Sequence, residues 1–243
     1  MDNYKNFLLD LFFPVFCLGC KKEGVYLCDD CKATLDILEY QRCLCNKNPL
    51  ILPPNQKRHG KCSRCSNKKL SGLYFALSYK ERSLTKKLIR NFKYKPYIKD
   101  LAKTLAGILI EHLVVSGKNT EDLWENSILI PVPLDKKKLR SRGYNQSEEL
   151  TKELATILKV PVIANSLVKI KTTKPQMELS KEEREQNLEG AFLIKKPFDF
   201  AQGKKIFLVD DVYTTGSTME ECAGVLRDEG AKIVWGIAIA REG

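Results

Sequence analysis

Apolar and polar positions follow two different patterns along the chain, and the patterns meet near Leu70. After that residue, short apolar runs alternate with stretches whose apolar residues recur every three or four positions. This order is typical of a mostly parallel sheet covered by helices. The strands are predicted at Leu73–Tyr79, Ser127–Val132, Leu167–Ile170, Ala191–Ile194, Ile206–Val209 and Ile233–Ala240.

Helices are predicted in the intervals between these strands. Three stretches carry an apolar stripe at helical spacing. The stripes consist of Leu84, Leu88, Ile89 and Phe92, then Leu101, Leu105, Ile108 and Leu109, and finally Leu150, Leu154 and Leu158. The segments 136–145 and 171–187 are polar and are predicted to be long loops, which in compact domains often carry function.

The chain before Leu70 is rich in cysteine. Eight of the nine cysteines form four close pairs there, which are Cys17/Cys20, Cys28/Cys31, Cys43/Cys45 and Cys62/Cys65. The chain is therefore predicted to consist of a cysteine-rich module over residues 1–70 and an α/β domain over residues 71–243. The ninth cysteine, Cys222, shares a helical face with Met219 and Leu226, so it is predicted to be a core residue and not a nucleophile.

The spacing of the cysteine pairs predicts two zinc ions. Two thiolates on a tight turn can face one ion, and two such pairs complete the tetrahedral shell that zinc prefers. The simplest assignment is sequential, although crossed pairing, or His59 in place of a thiolate, stays open. With four protein ligands each, both sites are predicted to be structural, supplying on the order of 10 kcal/mol of folding free energy per site. The predicted ligands are Cys17, Cys20, Cys28 and Cys31 for one ion, and Cys43, Cys45, Cys62 and Cys65 for the other.

Composition limits the compartment and the partners. No stretch approaches the roughly 18 apolar residues of a membrane span, and Asp10 interrupts the apolar N-terminal segment, which lacks a signal-peptide cleavage site. A soluble, cytoplasmic protein is expected, and its thiols would stay reduced, which argues against a disulfide framework. The formal net charge of +11 favours polyanionic partners.

The segment from Lys204 to Gly230 has the pattern of a ribose-5-phosphate site. A buried strand is followed by Asp210 and Asp211, which can accept hydrogen bonds from ribose hydroxyls directly or through a metal-bound water. Backbone amides and hydroxyls from 214–218 can surround a phosphate at the positive end of the next helix. Gly216 allows close backbone approach. A generic polar turn would not explain two acids directly after a buried strand.

This segment resembles the phosphoribosyl-pyrophosphate motif of type I phosphoribosyltransferases. The resemblance implies that the paired acids bind ribose, that the following residues enclose the 5-phosphate, and that magnesium holds the pyrophosphate. The residues concerned are Asp210, Asp211, Val212, Tyr213, Thr214, Thr215, Gly216, Ser217 and Thr218.

Two further segments narrow the resemblance. ILIPVPLDKKKLRSRGYNQSEELTKELA and KTTKPQMELSKEEREQNLEGAF, together with the early cysteines, resemble the ComF (also called GntX) family nearly end to end. That implies a double zinc ribbon joined to a phosphoribosyltransferase-like domain, with a role in natural competence, the uptake of DNA. Many relatives carry Arg where this chain has Lys169 and Lys171, so bidentate phosphate contacts there are lost.

Two basic clusters accompany the predicted sugar site. In the segment 136–145 we expect Arg140, Arg142 and Asn145 to contact pyrophosphate, although the same charge could be solvated or face nucleic acid. The second cluster lies on the polar face of the helix 83–94, close to two tyrosines, and cations mixed with aromatic rings suit single-stranded nucleic acid. A solvated helix face would explain this second cluster equally well. Its cations are Lys86, Lys87, Arg90 and Lys93.

The predicted function is that of a ComF-family protein that binds phosphoribosyl pyrophosphate and single-stranded DNA during DNA uptake, in contact with proteins of the uptake machinery. Whether it catalyses turnover is left open. One alternative is a phosphoribosyltransferase of nucleotide salvage or related metabolism, although neither a base-binding hood nor a glutaminase partner is recognisable. The other alternative is a regulatory module that senses phosphoribosyl pyrophosphate.

Overall fold

The computed structural model describes residues 14–53, 60–118, 121–171, 183, 188–195 and 203–242. The cysteine-rich part contains a short helix α1 (Asp29–Ala33), a 3₁₀ turn (Ser63–Cys65) and isolated β-bridges. The elements that follow are β1 (Gly72–Ser78), α2 (Leu84–Lys93), α3 (Leu101–Val115), α4 (Glu121–Trp124), β2 (Ser127–Pro131), α5 (Lys136–Arg142), α6 (Gln146–Leu158), β3 (Leu167–Lys169), β4 (Phe192–Ile194), β5 (Lys205–Tyr213), α7 (Ser217–Asp228) and β6 (Ile233–Arg241).

The main sheet has four strands in the order β1-β6-β5-β2, and every neighbouring pair is parallel. Helices cover both faces, so the strands are apolar along nearly their whole length, and β2 is buried throughout. The predicted α/β class with a parallel sheet is therefore confirmed. In such a sheet the carboxyl ends of the strands meet at one edge, where ligands bind.

The strands predicted at 167–170 and 191–194 do not join this sheet. They form β3 and β4, a separate antiparallel ribbon in which Val168 pairs with Leu193. The ribbon lies at the two ends of the second predicted loop. Of the loop itself, only residues 171 and 183 are among the described residues.

The prediction of a loop over residues 136–145 was wrong in its first part, because residues 136–142 form helix α5. The side chain of Asp135 accepts a hydrogen bond from the backbone N–H of Lys138 at 2.9 Å and caps the helix start. Gly143, at φ 81°, ends the helix in the left-handed conformation. The segment has no apolar stripe, so periodicity did not reveal a helix built from lysine and arginine, which are good helix formers.

Strand β5 continues four residues beyond its predicted end at Val209. It stays paired with β6 through Tyr213, which is opposite Arg241. Asp210 and Asp211 therefore belong to the last part of the strand instead of the loop after it. Since successive strand residues point to opposite faces, the two carboxylates are directed to different sides of the sheet edge.

Two apolar clusters cover the two faces of the sheet. The first, which includes Leu105 of α3 and Leu154 of α6, also takes in Leu18 from the cysteine-rich part. The second includes Leu226 of α7 and also contains Cys43 together with other residues that precede the predicted boundary. The apolar clusters thus cross that boundary, and the division at residue 70 stays a prediction.

Cys222 is fully buried in the second apolar cluster, as expected of a core residue, and burial raises the pKa of its thiol. Within the described part of the chain, no helix combines the length and the apolar character that a membrane crossing needs.

Candidate functional site

The eight early cysteines form two compact sets of thiols. In each set, the four Sγ atoms all lie within 4.8 Å of one another. Tetrahedral zinc with Zn–S bonds of about 2.3 Å would separate its thiolates by about 3.8 Å. The distance from Cys20 Sγ to Cys28 Sγ is 3.5 Å, and that from Cys62 Sγ to Cys65 Sγ is 3.7 Å, so both sets fit the metal. The first cysteine cluster is Cys17, Cys20, Cys28 and Cys31, and the second is Cys43, Cys45, Cys62 and Cys65.

The sequential grouping predicted from spacing is thereby confirmed. His59, the alternative ligand, lies outside the described residues. Backbone amides point at the sulfur atoms, as when Cys28 N donates to Cys17 Sγ at 3.4 Å and Leu50 N to Cys43 Sγ at 3.2 Å. Burial alone would raise the pKa of Cys17, but backbone hydrogen bonds, with that of Cys28 the largest, lower it to about 6. The thiolate is the form that binds metal.

The loop after β5 has the shape expected of a phosphate cradle. Gly216 adopts the left-handed conformation, at φ 82°, as the residue before α7. A Cβ atom there would lie 2.2 Å from Tyr213 Oη, so only glycine fits. The hydroxyls of Thr215 and Ser217 are 2.9 Å apart. The loop therefore places hydroxyls and backbone amides at the positive end of a 12-residue helix.

The residues predicted to enclose the phosphate do not all present their side chains to it. Val212 packs against the first apolar cluster, and Tyr213 is buried in the second. Tyr213 thus packs against Gly216 of the loop. Residues 214–218 form the loop and the first turn of α7, and they are the part of the predicted set that can face a ligand.

The paired acids contact two different helices. Asp211, which is 4% exposed, has its Oδ1 2.9 Å from Lys93 Nζ. Asp210 Oδ1 accepts hydrogen bonds from Ser147 Oγ and from the backbone N–H of Asp211, each at 2.8 Å. Burial and then the charge of Asp211 raise the pKa of Asp210 to about 6, while Lys93 and Ser147 act in the opposite direction.

The position of Lys93 differs from the expectation that it lies on an exposed nucleic-acid face. Its ammonium group reaches the acids at the sheet edge instead. Burial acts to lower the pKa of Lys93, but the attraction of Asp211 and Asp210 outweighs it, and the pKa is raised. Lys93 follows buried Ile89 by four residues, so it borders the apolar stripe of α2, and that spacing could have identified it.

The other three cations of α2 are placed differently from one another. Lys86 forms an ion pair with Glu81, whereas Lys87 and Arg90 are exposed. At the end of the helix, Tyr94 is 45% exposed and the guanidinium of Arg142 lies 5.4 Å from its ring centroid. We call Lys87, Arg90, Tyr94 and Arg142 the basic ledge. It joins a residue predicted to bind pyrophosphate to the helix predicted to bind DNA.

The three residues predicted on the pyrophosphate side also have different surroundings. Arg140 is exposed, and Arg142 donates to Gln146 Oε1 at 2.8 Å. Asn145 caps α6: its Nδ2 donates to the carbonyl of Val132 at 3.1 Å, and its Oδ1 accepts from Ser147 N at 3.1 Å. Asn145 therefore holds the start of α6, and with it the hydroxyl of Ser147 that reaches Asp210.

A cleft of about 270 Å³ opens between α5 and the β3–β4 ribbon. Burial and then repulsion from Lys138 lower the pKa of Lys169, while the carboxylates of Asp135 and Asp210 act in the opposite direction. Lys195 is a cation of this cleft that the sequence analysis did not identify. The lining residues are Asp135, Lys136, Val168, Lys169, Ile170, Lys171 and Lys195.

Two residues that the sequence analysis missed connect the second cysteine cluster to the cradle. Asn46 Nδ2 donates to the carbonyl of Thr215 at 3.0 Å. Arg241, 2% exposed, donates to the carbonyls of Cys43, at 2.7 Å, and Cys45. These partners are about 170 to 200 residues apart in sequence, so no local pattern could have shown the contacts.

Comparisons with known proteins identify the family. No protein-family model matches the chain. It is 37% identical to Competence protein F of Haemophilus influenzae over 156 residues, which are 63% of this chain and 67% of the relative. This chain belongs to the ComF family. It is also 33% identical to DNA utilization protein YhgH of Salmonella typhimurium, over 56% of this chain and 58% of the relative. Competence protein ComFC of Bacillus subtilis is 30% identical over 42% of this chain and 39% of that relative.

Among solved structures, similarity is low. Glutamine phosphoribosylpyrophosphate amidotransferase from B. subtilis matches at 21% identity and TM-score 0.34, over 57% of this chain and 25% of that one. Phosphoribosylpyrophosphate synthetase from Mycobacterium smegmatis matches at 21% identity and TM-score 0.30, over 58% and 33%. TM-scores of 0.34 and 0.30 are too low to support a conclusion about this chain. The fold assignment of this ComF protein rests on its parallel sheet and on the strand, paired acids, loop and helix that run from β5 to α7.

Proposed function

We propose that this ComF protein binds phosphoribosyl pyrophosphate with magnesium at the carboxyl edge of β5, and single-stranded DNA on the basic ledge. The observation that carries the proposal is the position of Asp210 and Asp211 directly beside the Gly216 loop at the start of α7. Acids suited to ribose hydroxyls thus precede Gly216, in a loop suited to a phosphate, by five and six residues at one edge of the sheet.

The surroundings of the acids suit a charged sugar. Lys93 offsets the repulsion between the two carboxylates, and Ser147 orients one of them. Asp210 and Asp211 are also the oxygen donors that a hard cation prefers, so they would hold magnesium, which would neutralise adjacent phosphate groups.

The cleft beside α5 is the proposed position of the pyrophosphate. Lys136, Lys169 and Lys195 line it, and Asp135, the one acid among its described lining residues, caps α5 through the backbone of Lys138. Cations that outnumber acids in a half-enclosed space favour an anionic ligand. Together with exposed Arg140, these lysines would lie opposite the phosphate cradle.

The basic ledge supports the nucleic-acid part of the proposal. Its exposed cations and Tyr94 offer contacts for phosphates and a face for stacking. The relatives of this protein carry the names competence protein and DNA utilization protein, which agrees with a DNA ligand. The ledge adjoins the sugar site because Lys93 and Arg90 are on the same helix.

The proposal is tested by calorimetry of phosphoribosyl pyrophosphate with magnesium. We expect saturable binding by the parent, no detectable binding by the double variant Asp210→Asn/Asp211→Asn, and parent-like binding by Asp228→Asn, an exposed acid at the far end of α7. Binding by the double variant as tight as that of the parent would show that the ribose assignment is wrong. Thermal melts of all three proteins verify that the fold is retained.

The same preparations distinguish a transferase from a binding module. Purified protein is incubated with the sugar, magnesium and a panel of bases and oligonucleotides, and pyrophosphate release is followed. Release that depends on an acceptor would show an enzyme. Tight binding without release would favour a role in DNA handling or in sensing.

A further inference from the structure

We propose that Asn46 is a positioning residue for the phosphate cradle, so that the second cysteine cluster shapes the sugar site in addition to stabilising the fold. The inference rests on the proposed function, in which the loop 214–218 receives a phosphate. It assigns a task to a residue of the cysteine-rich part that lies outside every predicted site.

The contact that carries the inference is the hydrogen bond from Asn46 Nδ2 to the carbonyl of Thr215, at 3.0 Å. The carbonyl of Thr215 and the N–H of Gly216 belong to one planar, trans peptide group, so the two point in opposite directions. A donor that holds the carbonyl therefore also sets the direction of the N–H. Among the described residues, no acceptor is found for the N–H of Gly216, which leaves it available to an anion on the side away from Asn46.

The second cysteine cluster holds Asn46 in place. Asn46 directly follows the ligand Cys45. The turn that carries both is closed by Cys43 N donating to Leu50 O at 2.9 Å and by Leu50 N donating to Cys43 Sγ at 3.2 Å. A zinc ion bound to the four thiolates would fix the same turn from its other side. The hydrogen bonds that close this turn therefore restrict where the Asn46 amide can lie.

Arg241 forms a second connection between the cysteine turn and the loop. Its guanidinium donates to the carbonyls of Cys43 and Cys45 and lies 5.4 Å from the ring centroid of Tyr213. The ring of Tyr213 in turn lies against Gly216. The cysteine turn is therefore connected to the loop by two separate routes, one through Asn46 and one through Arg241 and Tyr213.

The positive charge of Arg241 suits a position beside the thiols of the second cysteine cluster. Four thiolates and one divalent zinc would leave a net charge of about −2 beside the guanidinium. The metal site would thus compensate a buried cation whose hydrogen-bond acceptors in the described residues are neutral carbonyls.

Three variants test the inference. Asn46→Ala removes the donor, and Asn46→Asp replaces it with a group that only accepts hydrogen bonds. Asn48→Asp is the matched control, because it adds the same charge two residues away. Asn48 is exposed and lies at φ 47°, a conformation that Asp tolerates. Each protein is measured for zinc content, for amide hydrogen exchange of the peptide that covers 214–218, and for affinity for phosphoribosyl pyrophosphate with magnesium.

We expect both Asn46 variants to keep the zinc content of the parent, to exchange faster in the loop, and to bind the sugar about tenfold more weakly, as expected for one lost hydrogen bond. Asn48→Asp should match the parent in all three measurements. Parent-like exchange and affinity in Asn46→Ala would overturn the inference. Loss of zinc from that variant would also overturn it, because Asn46 would then act on the metal site. If the parent itself does not bind the sugar, the proposed function fails, and hydrogen exchange alone decides whether Asn46 positions the loop.

Discussion

The two cysteine clusters have the same ligand chemistry but different neighbours. Around the first, Leu18 and Leu27 pack into the apolar cluster on the α3 side of the sheet, and Lys32 forms a partly exposed ion pair with Glu111 at 2.5 Å. Around the second, a buried arginine and the amide of Asn46 connect the thiols to the cradle. The two thiol sets share their chemistry, so any difference in what they support comes from the residues beside them.

Disrupting each cluster in turn should give the largest difference. Cys45→Ser should remove zinc from the second cluster and weaken binding of phosphoribosyl pyrophosphate by at least about 100-fold, because the cradle loses the support of Asn46 and Arg241. Cys20→Ser, at an exposed ligand of the first cluster, should also lose one zinc but change the affinity by less than about threefold. Elemental analysis and calorimetry measure both quantities. An equal loss of affinity in the two variants would contradict the comparison.

The bonds that attach the clusters to the α/β part should also differ in strength. Arg241→Lys keeps the charge but cannot bridge the carbonyls of Cys43 and Cys45, so we expect a loss of about 2 kcal/mol in the free energy of unfolding. Lys32→Ala removes only a partly exposed ion pair and should cost less than about 1 kcal/mol. Denaturant unfolding followed by circular dichroism gives both values. A larger loss for Lys32→Ala would reverse the ranking.

Protonation of the sugar site offers a third test. Asp210, with a pKa raised from 3.8 to about 6, should be about tenfold less ionised at pH 5 than at pH 7. Between about pH 4 and 6 the folded protein holds a proton that the unfolded chain has lost, so this group makes the protein less stable as the pH rises through that range.

Lys93→Met should move the midpoint of Asp210 to still higher pH, because Lys93 lowers the pKa of that acid. Carboxyl-carbon NMR of Asp210 follows the titration directly. Cys20→Ser, which alters the first cluster, should leave the midpoint unchanged. A midpoint near 4 in the parent would show that partial burial and the charge of Asp211 do not raise the pKa of Asp210.

The smallest expected effect concerns DNA. Replacing Lys87 and Arg90 with Gln should flatten the slope of log affinity for single-stranded DNA against log salt by about 1.4, at about 0.7 per phosphate contact. The control pair Lys22→Gln and Lys103→Gln removes the same charge from exposed positions that are not part of the ledge. Fluorescence anisotropy over a salt series measures the slope. An equal change in the control pair would indicate that net charge, and not the ledge, attracts DNA.

The ends of elements show where sequence patterns stop being informative. The six predicted strands all overlap strands observed in the described residues, because each contains a short apolar run. The end of β5 was placed too early, since two acids normally mark a loop, whereas β6 keeps the strand paired as far as Tyr213. Helix α5 was missed because its signals are a cap at Asp135 and a left-handed Gly143, not an apolar stripe.

The sequence by itself determined the features built from neighbouring residues. Close cysteine pairs define the two thiol sets, and the run from Asp210 to Thr218 contains the acids, the loop and the helix start of the candidate sugar site. Only the tertiary structure placed Lys93 and Ser147 on the acids, and Asn46 on the carbonyl of Thr215. The physical reason is that backbone geometry fixes spacing within one element, whereas a contact between elements depends on how their apolar faces pack, and that packing is shared by many residues far apart in the chain.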